Sequence, residues 1–318
     1  MDSLTRTTGW PCTIAIRWVE SEEETVWRGE LLALTIPDPL AANCQDAPET
    51  AAWLRRLPDT IRSLERRWSV SVEAPYEQEA SASWVAPATL ETGTSAVLKV
   101  GMPHMEAEHE IQGLRFWDGD PTVRLLEADV GLNAMLLEHC KPGTSLRTLS
   151  ESEQDVVIAK LLRRLWRTPA SPHPFRPLTA MLEHWSEEVL VEAEQGSDPG
   201  LVRAGLSLFE ELPRDAGSEV LLATDLHAGN VLRAEREAWL VIDPKPFLGD
   251  PAYDATQHLL NCAARLHASP DDTISRFADL LGVDHDRVRL WTFARVATTL
   301  WGDRKDGGWP AFARAIAP

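Results

Sequence analysis

Leu221-Leu222-Ala223-Thr224-Asp225-Leu226-His227-Ala228-Gly229-Asn230-Val231-Leu232, followed by Trp239-Leu240-Val241-Ile242-Asp243-Pro244-Lys245, is the stretch on which the reading of this chain turns. Two short apolar runs have the composition of strands, and each delivers an acidic residue at or beside an end. Between them a polar turn holds Asp225 and, five positions later, Asn230. Asp, His, Gly and Asn are ordinary turn residues, and the pattern D-x-H-x-x-N by itself signifies little. Here that spacing coincides with a strand-loop-strand context and with a second Asp closing an apolar run. Phosphoryl transfer from a nucleotide requires such a set. One carboxylate orients the accepting hydroxyl and takes its proton, while an amide and a second carboxylate hold magnesium on the phosphates. Asp225 is the candidate for the first role, and Asn230 and Asp243 for the second.

Working outward toward the N-terminus, the runs 83–90 and 95–100 flank Glu91-Thr92-Gly93-Thr94 and read as a hairpin. Lys99 closes the second run. A strand Lys is ordinarily a solvated residue, but Glu106, Glu108 and Glu110 follow at the start of a helix carrying Ile111, Leu114, Phe116 and Trp117. A strand Lys braced by a helix Glu is how protein kinases hold a lysine against nucleotide phosphates. Two more strands, 123–128 and 134–139, lead to the turn Cys140-Lys141-Pro142-Gly143. In a two-lobed kinase that turn is the hinge, where adenine bonds to backbone between about Glu138 and Cys140. Earlier still, Trp53, Leu54, Leu57, Ile61, Leu64 and Trp68 have helical spacing over 51–68, with Pro58 a point of kink or break. Residues 1–35 contain two loosely alternating runs, from Thr13 and from Thr25, and no recognisable chemistry.

After residue 145 the periodicity is helical. Ile158, Leu161, Leu162, Leu165 and Trp166 share one face, and further helices are expected over 178–193, over 201–212 and in several segments beyond Asp254. The division expected is an N-terminal extension 1–35, a nucleotide-binding N-lobe 36–140 and a helical C-lobe 141–318.

The 318 residues carry 31 Lys and Arg against 49 Asp and Glu, a formal net charge of -18. That balance argues against nucleic acid as a partner, because a phosphate backbone demands a basic footprint. It suits a cationic small molecule as well as plain solubility. Cys12, Cys44, Cys140 and Cys262 form no C-x-x-C pair, so neither a zinc site nor a disulfide framework is indicated. The scattered cysteines fit a reducing cytoplasm, and because no apolar run approaches a membrane span and the N-terminus lacks a signal-peptide pattern, no membrane partner is expected. Most of the 13 Trp sit at helical spacing among Leu and Arg, where packing is their expected role.

These motifs resemble the aminoglycoside phosphotransferases, and within them the aminoglycoside/hydroxyurea antibiotic resistance kinases. The resemblance runs from about Trp53 to Pro318. It rests on Val97-Leu-Lys-Val, on Glu110 followed by Leu114 and Trp117, on Val123-Arg-Leu-Leu-Glu-Ala-Asp, and on Met135-Leu-Leu-Glu. Asp225-Leu-His-Ala-Gly-Asn-Val-Leu and Ile242-Asp-Pro-Lys-Pro through Gly249-Asp-Pro-Ala-Tyr-Asp254 are the most specific parts. The resemblance implies an α+β fold of bilobal protein-kinase type, with an antiparallel-sheet N-lobe, a helical C-lobe and ATP between them. It implies that Asp225 orients and deprotonates a hydroxyl, that Asn230 and Asp243 ligate Mg2+, and that Lys99, braced by Glu110, contacts the phosphates. His227 is expected to hold the loop, Lys245 and Asp254 to be architectural, and Asp254 to cap a helix.

Two departures stand out. Many relatives carry Gly immediately before the aspartate where this chain has Thr224, and Thr tolerates left-handed backbone poorly, so an extended backbone is expected there. The stretch 76–83, where a phosphate-covering loop is expected, contains no glycine and includes Glu77 and Glu79. The implied activity is an ATP- and Mg2+-dependent phosphotransferase acting on a hydroxyl of a small molecule, with a streptomycin-like aminoglycoside as the named candidate. A kinase of a non-antibiotic metabolite and a catalytically weak nucleotide-binding pseudokinase are the alternatives. A protein kinase is disfavoured, because neither D-F-G nor A-P-E follows the central block.

Overall fold

The computed structural model describes residues 34–45, 47–76, 81–193, 198–299 and 308–318. The runs expected within residues 1–33 and the loop positions 77–80 lie outside that set. The chain divides into two compact units. The first comprises the described residues up to Pro103 together with Leu126–His139, and the second comprises His104–Leu125 and Cys140–Pro318.

In the first unit, α1 (Asp38–Asn43) and α2 (Pro48–Trp68) precede β1 (Val70–Val72), β2 (Ser83–Leu90), β3 (Ser95–Gly101), all but the first residue of β4 (Leu125–Asp129), and β5 (Ala134–Glu138). The strands form one sheet in the order β1-β2-β3-β5-β4. The pairs β1–β2, β2–β3 and β3–β5 run antiparallel, with Lys99 opposite Val85 on one side and Met135 on the other. Strand alternation puts Trp84, Ala86 and Ala88 of β2 and Ala96, Leu98 and Val100 of β3 into a core with Trp53, Leu57, Ile61 and Leu64 of α2. That four-residue stripe explains why α2 runs unbroken through Pro58: burial on both sides of the proline outweighs the lost backbone bond. Period-2 alternation assigns Lys99 to the sheet face opposite Leu98 and Val100, and it is buried there.

The second unit contains α3 (Glu110–Trp117), α4 (Glu151–Leu165), α5 (Leu178–Ala193), α6 (Pro199–Glu211), α7 (Pro251–Asn261), α8 (Ala263–Ala268), α9 (Pro270–Leu281), α10 (His285–Thr298) and α11 (Gly308–Ala315). Two short ribbons, β6 (Val220–Leu222) with β9 (Phe247–Gly249) and β7 (Val231–Leu232) with β8 (Leu240–Val241), are antiparallel. Segment 104–125, which the sequence reading assigns to the N-lobe, belongs to this unit. Trp117 is the reason, since it is fully buried in the second core and its indole N–H donates to Leu165 O at 3.0 Å. The helix expected from Glu106 is also shorter, a 3-10 turn at Met105–Ala107 followed by α3 proper.

Helix packing is close where small residues allow it. A Cβ on Gly205 of α6 would lie 2.9 Å from Ala297 Cβ of α10. The interior also holds a charged link. Buried Asp155 of α4 meets His258 of α7 at 2.8 Å and accepts two hydrogen bonds from Arg265 of α8, at 2.6 and 2.7 Å. Among the described residues no helix is long and apolar enough to cross a membrane.

Candidate active site

Asp225, Asn230 and Asp243 are brought together by the two ribbons. Asp225 lies just beyond β6, Asn230 ends a 3-10 turn that leads directly into β7, and Asp243 follows β8. The register Val231↔Val241 sets Asn230 beside this last segment, and Ile242 N–H donates to Asn230 O at 2.9 Å. The turn between them is held by its own residues. His227 Nδ1 accepts from Gly229 N–H at 3.0 Å, the loop-holding role expected of it, and Ser145 Oγ donates to Ala228 O at 3.0 Å. Gly229 is closely approached by two side chains, since a Cβ there would lie 2.7 Å from His227 Cε1 and 2.7 Å from Arg147 Nη2.

Thr224 corrects the sequence expectation. Its φ is +44°, left-handed rather than extended. The conformation is imposed by three contacts. Thr224 N–H donates to Asp254 Oδ1 at 2.8 Å, Ala223 N–H donates to Asp254 Oδ2 at 3.0 Å, and Thr224 Oγ1 donates to Lys245 O at 2.7 Å. A β-branched residue with positive φ persists only where its surroundings over-determine it. Asp254 is likewise not the helix cap expected of it. Asp250 caps α7, accepting from Ala252 N–H at 3.0 Å, while Asp254 lies inside the helix, buried, and also accepts from Trp166 Nε1 at 3.0 Å. Burial pushes its carboxyl up to about 6 despite those three donors.

The Asp225 carboxylate is held at both oxygens. Gln257 Nε2 donates to Oδ1 at 2.6 Å, and Asn230 Nδ2 lies 3.3 Å from Oδ2 and donates to Asp225 O at 3.0 Å. Burial, followed by the charge of Asp243, pushes Asp225 up to about 6, against the opposing pull of Lys245 and Arg295. A carboxylate raised toward neutrality is a better proton acceptor near physiological pH. Asp243, with φ +53°, is ion-paired to buried Lys245, whose Nζ is also 3.9 Å from Glu110 Oε2. Burial alone would lower the Lys245 ammonium, but Asp243 and then Glu110 raise it above its ordinary value. Glu110 reaches this position because α3 packs tightly on the Asp243 segment: a Cβ on Gly113 would sit 2.9 Å from Pro246 Cγ.

The donor set suits a hard divalent cation. Asp243 carries a carboxylate whose Oδ1 also takes the Lys245 ammonium, and Asn230, its amide nitrogen spent on Asp225, has a carboxamide oxygen, both hard oxygen donors. The remaining sequence candidates are distributed between the units. Lys99 and Glu138 lie in the first, at the middle of β3 and the last position of β5. Cys140 lies in the second, buried at the start of the turn that Gly143 completes with φ +75°.

Gln257 and Arg295 escaped the sequence reading. Arg295 Nη2 donates to Gln257 Oε1 at 2.7 Å, and its guanidinium lies over the rings of Trp185 at 5.6 Å and Tyr253 at 5.3 Å. The one available signal was a polar residue three positions after Asp254, on the same helical face.

Residues 67–307 match the family model described as aminoglycoside/hydroxyurea antibiotic resistance kinase. This chain belongs to that family. It is similar to a streptomycin 6-kinase of Streptomyces glaucescens, 36% identical over 285 residues that cover 86% of this chain and 92% of that protein. It is also similar to a hydroxyurea phosphotransferase of Kitasatospora aureofaciens, 34% identical over 79% of this chain and 74% of that one. Among solved structures, the choline kinase LicA of Streptococcus pneumoniae shares the fold, with a TM-score of 0.59 at 14% identity, covering 82% of this chain and 99% of that one. The α+β protein-kinase-like fold, with its antiparallel-sheet N-lobe and helical C-lobe, is therefore that of this resistance-kinase family. As a resistance kinase the chain is a phosphotransferase.

Proposed function

We propose that this chain transfers the γ-phosphoryl group of ATP to a hydroxyl of a streptomycin-like aminoglycoside in the cytoplasm. The observation that carries the substrate is the near end-to-end match to a streptomycin 6-kinase. The formal charge of -18 is complementary to a polycationic acceptor and supports the same reading. Asp225 accepts the hydroxyl proton as the new O–P bond forms and the bond between phosphorus and the β,γ-bridging oxygen breaks, releasing ADP. Asn230 and Asp243 hold magnesium, which when bound offsets charge on the phosphates. Lys99 contacts the phosphates with Glu110 as its brace, and backbone between Glu138 and Cys140 hydrogen-bonds adenine.

The test is ADP release from magnesium-ATP by wild type and Asp225→Ala across streptomycin, other aminoglycosides, hydroxyurea and small hydroxylated metabolites, with products weighed by mass spectrometry. Phosphorylated streptomycin that disappears in the variant supports both substrate and base. Turnover confined to a non-antibiotic acceptor would retain the chemistry and reject the aminoglycoside. Absence of any product with intact ATP binding would favour the pseudokinase alternative.

A further inference from the structure

We infer that Gln257 and Arg295 form a positioning pair that fixes the Asp225 carboxylate for phosphoryl transfer. The inference rests on Asp225 acting as the base. Gln257 is the bridge, with its amide nitrogen on Asp225 Oδ1 at 2.6 Å and its amide oxygen on Arg295 Nη2 at 2.7 Å. This orientation is the only one the chemistry permits. A guanidinium only donates and a carboxylate only accepts, so the amide oxygen must face Arg295 and the NH2 must face Asp225. The arginine's charge also polarises the amide it touches and strengthens the bond to Asp225.

Arg295 is itself immobilised. Its Nη1 donates to Thr256 Oγ1 at 2.8 Å, and its guanidinium lies over Trp185 and Tyr253. Trp185 is in turn held by its indole N–H on Glu106 Oε1 at 3.0 Å. The other end of the α7–α10 contact is pinned too, because Asp250 accepts from Trp291 Nε1 at 2.6 Å and pairs with Arg287. Two α7 residues on one face therefore grip the same loop. Asp254 takes the backbone N–H groups of Ala223 and Thr224, and Gln257, one turn on, takes the side chain of Asp225. Without Gln257 the carboxylate keeps the longer, 3.3 Å contact from Asn230 as its other side-chain hydrogen bond. A base must hold its reacting oxygen within a fraction of an ångström of the productive position, so losing the bridge lowers the rate of transfer rather than the affinity for substrates.

The experiment compares wild type with Gln257→Leu, Gln257→Asn, Arg295→Lys and the double variant Gln257→Leu/Arg295→Lys. ADP release from magnesium-ATP is followed with streptomycin and with water as acceptor, alongside thermal unfolding and ATP binding. In Gln257→Leu, kcat is expected to fall about 100-fold, the scale of a 1 Å misplacement, with KM for streptomycin and ATP changed by less than about twofold. Gln257→Asn, whose shortened amide no longer spans the gap, is expected to match it and serves if the leucine variant fails to fold. Arg295→Lys is expected to lose about tenfold in kcat, and the double variant no more than Gln257→Leu, because residues acting in series are not additive. Unchanged kcat in a folded Gln257 variant, a loss carried by acceptor KM, or multiplicative losses in the double variant would each overturn the inference. If wild type leaves streptomycin unphosphorylated, the substrate reading fails. The same kcat ratios for ADP release to water then decide the positioning role.

Discussion

Thr224 offers a direct test of whether strain is stored beside Asp225. The residue combines φ +44° with a hydroxyl that donates to Lys245 O at 2.7 Å inside the protein. Left-handed backbone costs an L-residue with a Cβ roughly 1–2 kcal/mol, which glycine escapes. Removing the hydroxyl leaves a buried acceptor short of its partner, at a cost of about 1–3 kcal/mol. Thr224→Ala loses the hydrogen bond and retains the strain, so it is expected to lose about 1–3 kcal/mol. Thr224→Gly loses the same bond and relieves the strain. It is therefore expected to be more stable than Thr224→Ala by about 1 kcal/mol, or roughly 2–4 °C in Tm for a domain of this size. Thr224→Ser, which keeps the hydroxyl, is expected to stay closest to wild type. Urea unfolding of the four proteins measures the order directly. An alanine variant equal to or more stable than the glycine variant would refute the claim that this backbone is strained and held by its partners. In the glycine variant kcat is expected to fall while stability is partly kept, because the backbone leading into Asp225 is no longer over-determined.

Asp225→Asn removes the proton acceptor but keeps its shape, so kcat should drop about 10²–10⁴-fold with ATP affinity retained, as read by calorimetric titration. Asp243→Asn should weaken Mn2+ binding, measured by electron paramagnetic resonance without turnover, while leaving the Gln257–Asp225 hydrogen bond in place. Burial pushes the Asp155 carboxyl up, but Arg265 and then His258 outweigh it and hold it at about 2. A depressed acid contributes stability above its unfolded pKa, and that contribution is lost as pH falls through the folded one. Asp155→Asn should therefore unfold about 3 kcal/mol more easily at pH 7, and the gap should narrow as pH falls from about 4 toward 2. Gly113→Ala inserts a methyl 2.9 Å from Pro246 Cγ and should cost about 1 kcal/mol in urea unfolding, overpacking outweighing the gain in helix propensity.

Much of this protein was legible in one dimension because its signals are local. The hairpin around Gly93, the apolar stripe of α2 and the spacing of Asp225, Asn230 and Asp243 depend on strand or helix period and on turn chemistry. Each can be read within one continuous stretch of sequence. The structure bears out the strands 83–90 and 95–100 and the helix 178–193, and the family match bears out the kinase fold.

What tertiary structure alone decided has a common cause, which is competition between local preference and contacts distant in sequence. Thr224 prefers extended backbone, yet Asp254 and Lys245 bend it to positive φ from 30 and 21 positions away. The helix Glu110–Trp117 follows the N-lobe strands in sequence, but Trp117, buried in the second core with its indole N–H on Leu165 O, lies in the other unit. Gln257 and Arg295 carry no motif, because a hydrogen bond across two helices imposes no spacing along the chain. The sequence by itself determined which chemical groups are available and on which kind of element each sits. Packing determined which of them touch, since a side chain's partner is chosen by geometry in three dimensions.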